Sequence, residues 1–340
     1  MLVPIQRDRR SAVLVTGGAG YIGSHAVLAL IDAGHEVVIV DNLSSGFRWA
    51  VHPDATFYQG DVADSELLGR IFRDHRIAAV LHFAGSLIVS ESVGNPLKYY
   101  HNNSETSRLL LSAMIDGGVR NIVFSSTAAV YGDGQHGLVE ETSPAQPINP
   151  YGMSKLLTEA MIRDTARAHG MDYCILRYFN VAGADPDMRS GQSTVGATHL
   201  IKVAVEAALG HRSHVAVFGS DFPTRDGTGI RDYIHVSDLA DAHVLALDHL
   251  LNHDGAALTL NCGYGTGYSV SEVLDAVDRV SGIRVPRRME PRRSGDPASL
   301  VASNFRIREA LGWLPRHDCL DAIVQHALAW EHAMEARKVG

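Results

Sequence analysis

The sequence predicts an α/β protein: a doubly wound parallel sheet with a smaller C-terminal α+β lobe. Three observations predict it. A glycine-rich run, Gly17-Gly18-Ala19-Gly20-Tyr21-Ile22-Gly23, stands between a short apolar run and a helical pattern. A second apolar run, Val37 to Val40, ends in Asp41, eighteen residues after Gly23. Strand-like and helix-like segments then alternate as far as Arg177. Such alternation builds a parallel sheet covered on both faces, with the ligand crevice at the C-terminal edge of its strands.

Ala12 to Thr16 reads as a strand buried on both faces, and the helical pattern after the glycines runs through Ala26, Leu28, Leu30 and Ile31 to stop at Gly34. Glycines permit a tight turn and let backbone approach a pyrophosphate, whose charge rests on the helix N-terminus. Asp41 is then placed to bond ribose hydroxyls and to repel a 2'-phosphate. This is the Rossmann dinucleotide fingerprint, and it favours NAD over NADP. Cofactor contacts are expected from Gly17, Gly20, Tyr21, Ile22, Gly23 and Asp41.

Further along, Thr56 to Gln59 reads as a strand leading to Gly60-Asp61-Val62, where Asp61 is placed to reach an adenine amino group. Ser65 to His75 is helical, Ala79 to Phe83 a strand closing on Ala84-Gly85, Asn102 to Asp116 a helix and Asn121 to Ser125 a strand. Helix Tyr151 to His169 and strand Tyr173 to Arg177 complete the series. After about Asn180 the pattern loosens. Gly219 to Gly229 is a long loop, and helices are expected near Thr198 to Leu209, Ser237 to Leu251, Ser269 to Ser281 and Asp318 to Arg337. Residues 11–180 are expected to form the dinucleotide domain, rejoined by segments near 230–262, and 181–337 mainly the substrate lobe.

Composition excludes some classes. The 340-residue chain is 46% hydrophobic and carries a net charge of −8, which argues against general nucleic-acid binding. No apolar run approaches the ~20 residues of a membrane helix. The first ten residues lack the apolar stretch of a secretory signal and read as a short leader, so a cytoplasmic location is expected. Cys174, Cys262 and Cys319 lie far apart, which suits reduced thiols, and the eighteen histidines are scattered without a metal-ligand spacing, so no metal is expected.

The chemistry concentrates in Tyr151-Gly152-Met153-Ser154-Lys155. Four residues make about one helical turn, so the phenol and the ammonium share a face. A lysine charge there favours the phenolate, which needs a shift of roughly 3 units from a pKa of about 10 to act near pH 7. Taken alone, the spacing also arises by chance on surface helices. Ser125-Ser126-Thr127 ends a strand one βα unit earlier; a hydroxyl there either shares the phenol's proton or merely caps the strand end.

Together with TGGAGYIGSH, HFAG, NPLKYY, FSST, NPYGMSK, LRYFNVAGA, DGTGIRDYIHV and SGDP, these residues resemble the extended short-chain dehydrogenase/reductase family, in its branch of NAD-dependent UDP-sugar 4-epimerases. The resemblance spans about Val13 to Trp313. It implies Thr127 as the catalytic hydroxyl, Tyr151 as base and Lys155 as its partner. It implies NAD contacts from Asn42, Asp61, Val62, Phe83, Ala84, Asn102, Ser125, Tyr151, Lys155 and Tyr178. The UDP-sugar would meet Asn180, Leu200, Phe218, Arg231, Tyr233, Arg293 and Asp296, the arginines clamping the diphosphate.

The implied reaction interconverts UDP-glucose and UDP-galactose. Tyr151 takes the 4'-hydroxyl proton as hydride passes from C4' to NAD, and the keto sugar turns over before the hydride returns. In the 4,6-dehydratase branch an Asp-Glu pair follows the hydroxyl; here Ala128-Ala129 cannot move protons, which favours epimerisation. Leu87 stands where relatives often carry a lysine, and Leu300 where a tyrosine restricts the sugar pocket in some, so an N-acetylhexosamine or pentose substrate is the alternative. A non-catalytic NAD(H)-binding regulator is the reading from another class; such relatives tend to lose the tyrosine, lysine or hydroxyl, and all three stand here. A homodimer through the helices at 102–116 and 151–169 is also implied.

Overall fold

The computed structural model describes residues 11–133, 137–194, 196–293 and 296–339. The leader expected in the first ten residues, and Ser294-Gly295 of the SGDP motif, lie outside the described residues.

Seven parallel strands form the central sheet: β1 (Ala12–Thr16), β2 (Glu36–Asp41), β3 (Thr56–Gln59), β4 (Ile77–His82), β5 (Asn121–Thr127), β6 (Asp172–Tyr178) and β7 (Ala257–Cys262). Their spatial order is β7-β6-β5-β4-β1-β2-β3. The chain runs from β1 outward to β3, then crosses to the other side of β1 with β4, so the crevice opens where the direction reverses. Alternate residues feed opposite layers. Val13 and Val15 join the core of one face while Ala12 and Leu14 join the other, and Val37/Ile39 divide from Val38/Val40 in the same way.

Helix α1 (Tyr21–Asp32) packs on α5 (Val236–Asn252) over the first of these faces. Helices α2 (Ser65–Asp74), α3 (Thr106–Asp116) and α4 (Pro150–His169) lie side by side over the second. The α4 boundaries follow from its sequence. Asn149 accepts a hydrogen bond from the Gly152 amide at 2.8 Å, Pro150 fills the first turn and Gly170 stops the helix at φ 65°.

The remaining strands build smaller sheets. Ile230–His235 pairs with Asn180–Ala182, Gly267–Ser269 and Ser299–Ala302, and the last of these pairs with Leu138–Val139. Val215–Phe218 pairs with Arg287–Glu290.

Several boundaries differ from those expected. β4 begins earlier than expected, at Ile77, and stops at His82, although the Phe83 amide still donates to the Thr16 carbonyl at 3.1 Å. β5 extends two residues past Ser125, paired with β6 as far as Thr127. The helix expected from Asn102 begins earlier, at Pro96, and passes through a π-helical turn over Tyr100–Glu105 before α3. Such turns are unfavourable and are found mostly at functional sites.

Candidate active site

A cleft of about 1660 Å³ runs along the C-terminal edge of the sheet and under the smaller sheets. With one exception, every residue singled out from the sequence as a contact or catalytic group lines it: the glycine turn, Asp41, Asn42, Asp61, Val62, Phe83, Ala84, Asn102, Thr127, Tyr151, Lys155, Tyr178, Asn180, Leu200, Phe218, Arg231, Tyr233, Arg293 and Asp296. The exception is Ser125. Its side chain is buried behind the wall, and its carbonyl accepts a hydrogen bond from Lys155 Nζ at 3.0 Å.

The glycine turn has the close backbone approaches of a dinucleotide cradle. Gly17 has φ 72°, and a Cβ there would stand 2.8 Å from the Ala84 amide nitrogen; at Gly23 it would stand 2.1 Å from the Gly17 carbonyl. Only glycine therefore lets the loop fold tightly onto the start of α1. Asp41 ends β2 beside this turn, accepting from the Ala19 and Leu43 amides at 2.9 and 2.8 Å. Burial raises its pKa while those two bonds hold it down. The residues fit a dinucleotide. Asp61 accepts from Asn42 at 2.9 Å, which ties the ends of β2 and β3 together.

At the opposite end of the sheet edge, Tyr151, Lys155 and Thr127 are each more than nine-tenths buried. Burial raises the Tyr151 phenol's pKa, against a smaller downward pull from the neighbouring Thr127 hydroxyl, which itself accepts a hydrogen bond from the Ala129 amide at 3.1 Å. In the protein alone Lys155 is not among the groups that shift the phenol. The ammonium is directed to the strand end and packs over the Phe124 ring at 4.9 Å. Burial lowers its own pKa to about 8, against the pull of Glu159 one turn later.

Three supports of this site escaped the sequence reading. Asn103, in the π-helical turn, donates to the Ser86 carbonyl and to Ser154 Oγ while accepting from the Ser86 amide at 2.7 Å, so it ties the loop after β4 to the Tyr-Lys helix. Glu159, fully buried on α4, accepts from Ser126 at 2.6 Å and from Arg177 at 2.9 and 2.6 Å. Arg177 in turn donates to Tyr131, whose hydroxyl donates to Asn261. The third, His243, lies on α5 behind Ser125. The signal for Asn103 was its place four residues after Tyr99 and before Ser107, on the buried stripe of the helix.

The far end of the cleft is cationic. The Arg293 guanidinium lies 3.6 Å over the Phe218 ring, and Arg231 pairs with Asp296 at 3.3 Å. Of the histidines outside the cleft, His211 pairs with Glu335 at 2.6 Å.

A doubly wound parallel sheet with a glycine cradle, an acid after β2 and a buried Tyr-Thr-Lys group defines a dinucleotide-dependent enzyme of the short-chain dehydrogenase type. The chain belongs to the NAD dependent epimerase/dehydratase family, whose model matches residues 13–263. It is 58% identical over 323 residues to the UDP-glucose 4-epimerase of Azospirillum brasilense, covering 95% of this chain and 92% of that one. Among solved structures it resembles a UDP-glucose 4-epimerase from Stenotrophomonas maltophila with bound NAD and formylated UDP-arabinopyranose (TM-score 0.93, 42% identity, 96% and 100% of the two chains). It also resembles the UDP-Glc/GlcNAc 4-epimerase of Campylobacter jejuni (TM-score 0.83, 44% identity, 95% and 99%).

Proposed function

We propose that this chain is an NAD-dependent isomerase that interconverts UDP-glucose and UDP-galactose at C4'. The observation that carries the proposal is that Tyr151, Lys155 and Thr127 line one cleft in which the two residues after Thr127, Ala128 and Ala129, offer no acid. Elimination of water from the sugar needs a group that protonates the leaving hydroxyl. The described carboxylates of the cleft are all engaged: Asp41 by amides, Asp61 by Asn42, Glu91 by Lys98 and Tyr99, and Asp296 by Arg231.

The glycine turn, Asp41, Asn42, Asp61, Val62, Phe83, Ala84, Asn102 and Tyr178 hold NAD, with Lys155 and Ser125 at its reactive end. NAD, when bound, supplies a two-electron acceptor and donor for C4' and a positively charged ring beside the phenol. Thr127 passes the 4'-hydroxyl proton toward Tyr151, and Tyr151 returns it on the other face of the sugar. Lys155 adds positive charge that favours the phenolate. Arg231 and Arg293 clamp the diphosphate, while Asn180, Leu200, Phe218, Tyr233 and Asp296 enclose the rest of the UDP. Binding energy is thus placed on the part that does not react, which leaves the hexose free to turn over.

Residues 11–180 with β7 and α5 form the dinucleotide part, and the segments from 181 onward otherwise cover the substrate. The protein acts in the cytoplasm as a homodimer through α3 and α4, where Leu157 is exposed. Among the described residues no helix is long and apolar enough to cross a membrane.

Incubation with UDP-galactose without added NAD tests the proposal. UDP-glucose as product supports it; a 4-keto-6-deoxy product or no turnover refutes it. A wider substrate range is the second reading, favoured by Leu300, which lines the cleft where a bulkier side chain would narrow it.

A further inference from the structure

His243 is completely buried on α5, and nothing in the reaction outlined above uses it. Its Nδ1 lies 2.8 Å from the Leu239 carbonyl. A carbonyl only accepts, so Nδ1 carries a proton. Burial lowers the imidazole's pKa to about 4, so the ring is neutral and Nε2 bears a lone pair. That lone pair faces Ser125 Oγ at 3.3 Å, and Ser125 Oγ is 3.2 Å from the Tyr178 hydroxyl. Ser125 Oγ donates to the Tyr178 hydroxyl, and the His243 lone pair offers a second acceptor for the same proton, so the imidazole bears directly on where the Ser125 hydroxyl points. His243 itself is held by its bond to the Leu239 carbonyl.

This chain of bonds ends at the cleft wall. Tyr178 lines the cleft, as does Phe83, whose ring lies 4.7 Å from the imidazole. The carbonyl of Ser125 is the acceptor for Lys155. We propose that His243 is a positioning residue of the cofactor pocket, fixing the hydroxyls of Ser125 and Tyr178 and backing the Phe83 ring from behind the wall. It touches neither cofactor nor sugar; it acts through Ser125. The inference rests on the reading of this cleft as the NAD site.

The test compares His243→Leu, His243→Gln, Ser125→Ala and the double variant H243L/S125A, by NADH titration followed through its fluorescence and by steady-state turnover of UDP-galactose. Leu removes the acceptor, whereas Gln restores an oxygen near the Nε2 position. H243L is expected to weaken NADH binding about tenfold, the worth of one hydrogen bond, with the KM for UDP-galactose unchanged. H243Q is expected to recover most of that loss, and the double variant to be no worse than H243L. Equal impairment of H243Q and H243L, or additive losses in the double variant, overturns the inference. Should H243L not fold, S125A and H243Q carry the comparison: S125A must weaken NADH binding and H243Q must not, and any other result overturns it. Failure of the unaltered protein to bind NADH refutes the NAD reading instead.

Discussion

Lys155 Nζ donates to the Ser125 carbonyl at 3.0 Å, so the ammonium is anchored to the end of β5 rather than to the phenol one turn before it on α4. Its pKa is lowered to about 8 by burial. The folded value lies below that of a free lysine, so between about 8 and 10.4 the unfolded chain binds more protons and this group's contribution to stability rises with pH. Below that window the burial penalty is felt in full. In the proposed mechanism catalysis has the opposite sign, because there only the charged ammonium favours the phenolate. The kcat/KM profile is expected to fall as pH rises through about 8, and Lys155→Met is expected to remove that limb along with most of the activity. A limb above pH 10 would contradict the burial argument.

Tyr151 presents the reverse case. Burial raises its phenol's pKa, with the neighbouring Thr127 hydroxyl pulling the other way. Tyr151→Phe deletes the proton carrier and keeps the ring that packs edge-on against Tyr99 at 6.3 Å. Turnover is expected to fall about 10²- to 10⁴-fold, the range for a lost general base, with melting temperature and NADH affinity little changed. Comparable losses of activity and of fold would mean that the hydroxyl is structural.

The glycine turn, the strand ends and the Tyr-Lys helix were legible because each is a local pattern. Gly17 to Gly23, Asp41 and Asn149-Pro150 announce their conformations within a few residues. The burial that raises the Tyr151 pKa was not legible, because it depends on what the whole fold puts around a group, which spacing on one helix does not reveal. Glu159 and His243 were missed for a related reason. On α4 and α5 they look like ordinary surface positions, and only the packing of those helices on β5 and β6 gives them partners. The π-helical turn was invisible because Asn103, which it presents to Ser86 and Ser154, lies in a run with the composition of a normal helix.

The Glu159–Arg177 pair is the most consequential of these hidden features. Both side chains are at least 95% buried and bond at 2.6 Å. Ser126 also gives its proton to Glu159. Arg177→Met would leave that carboxylate paired only with the partly exposed Arg163. Removing one partner of a buried pair typically costs about 3–5 kcal/mol. Urea unfolding is expected to show a loss of that order, and a cost below about 1 kcal/mol would place the pair among ordinary surface bridges.

The cradle at the other end of the cleft gives a separate prediction. A Cβ at Gly23 would stand 2.1 Å from the Gly17 carbonyl, so Gly23→Ala must push the turn away from the start of α1. Overpacking of this kind costs about 1–3 kcal/mol, and the displaced amides would no longer meet a pyrophosphate. The variant is expected to purify without NAD and to regain little activity when NAD is added. Full affinity for NAD in G23A would exclude the turn as the cradle.

The second reading of the substrate range turns on Leu300. It is mostly buried in a cluster with Val130, Tyr131 and Phe179, yet part of it lines the cleft. A leucine ends where a tyrosine ring would continue into the cleft, and the added ring takes up about the space that an acetamido group needs. Leu300→Tyr is therefore expected to depress turnover of UDP-N-acetylglucosamine by more than about tenfold while UDP-glucose loses no more than about threefold. Differences of one or two small groups in a pocket are worth about 1–3 kcal/mol, which sets that scale. The two substrates must be measured on the same preparation, since a loss shared equally between them would reflect a damaged cluster rather than a narrowed pocket. If the unaltered protein leaves UDP-N-acetylglucosamine untouched, Leu300 does not open the pocket, and the substrate range is the hexose pair alone.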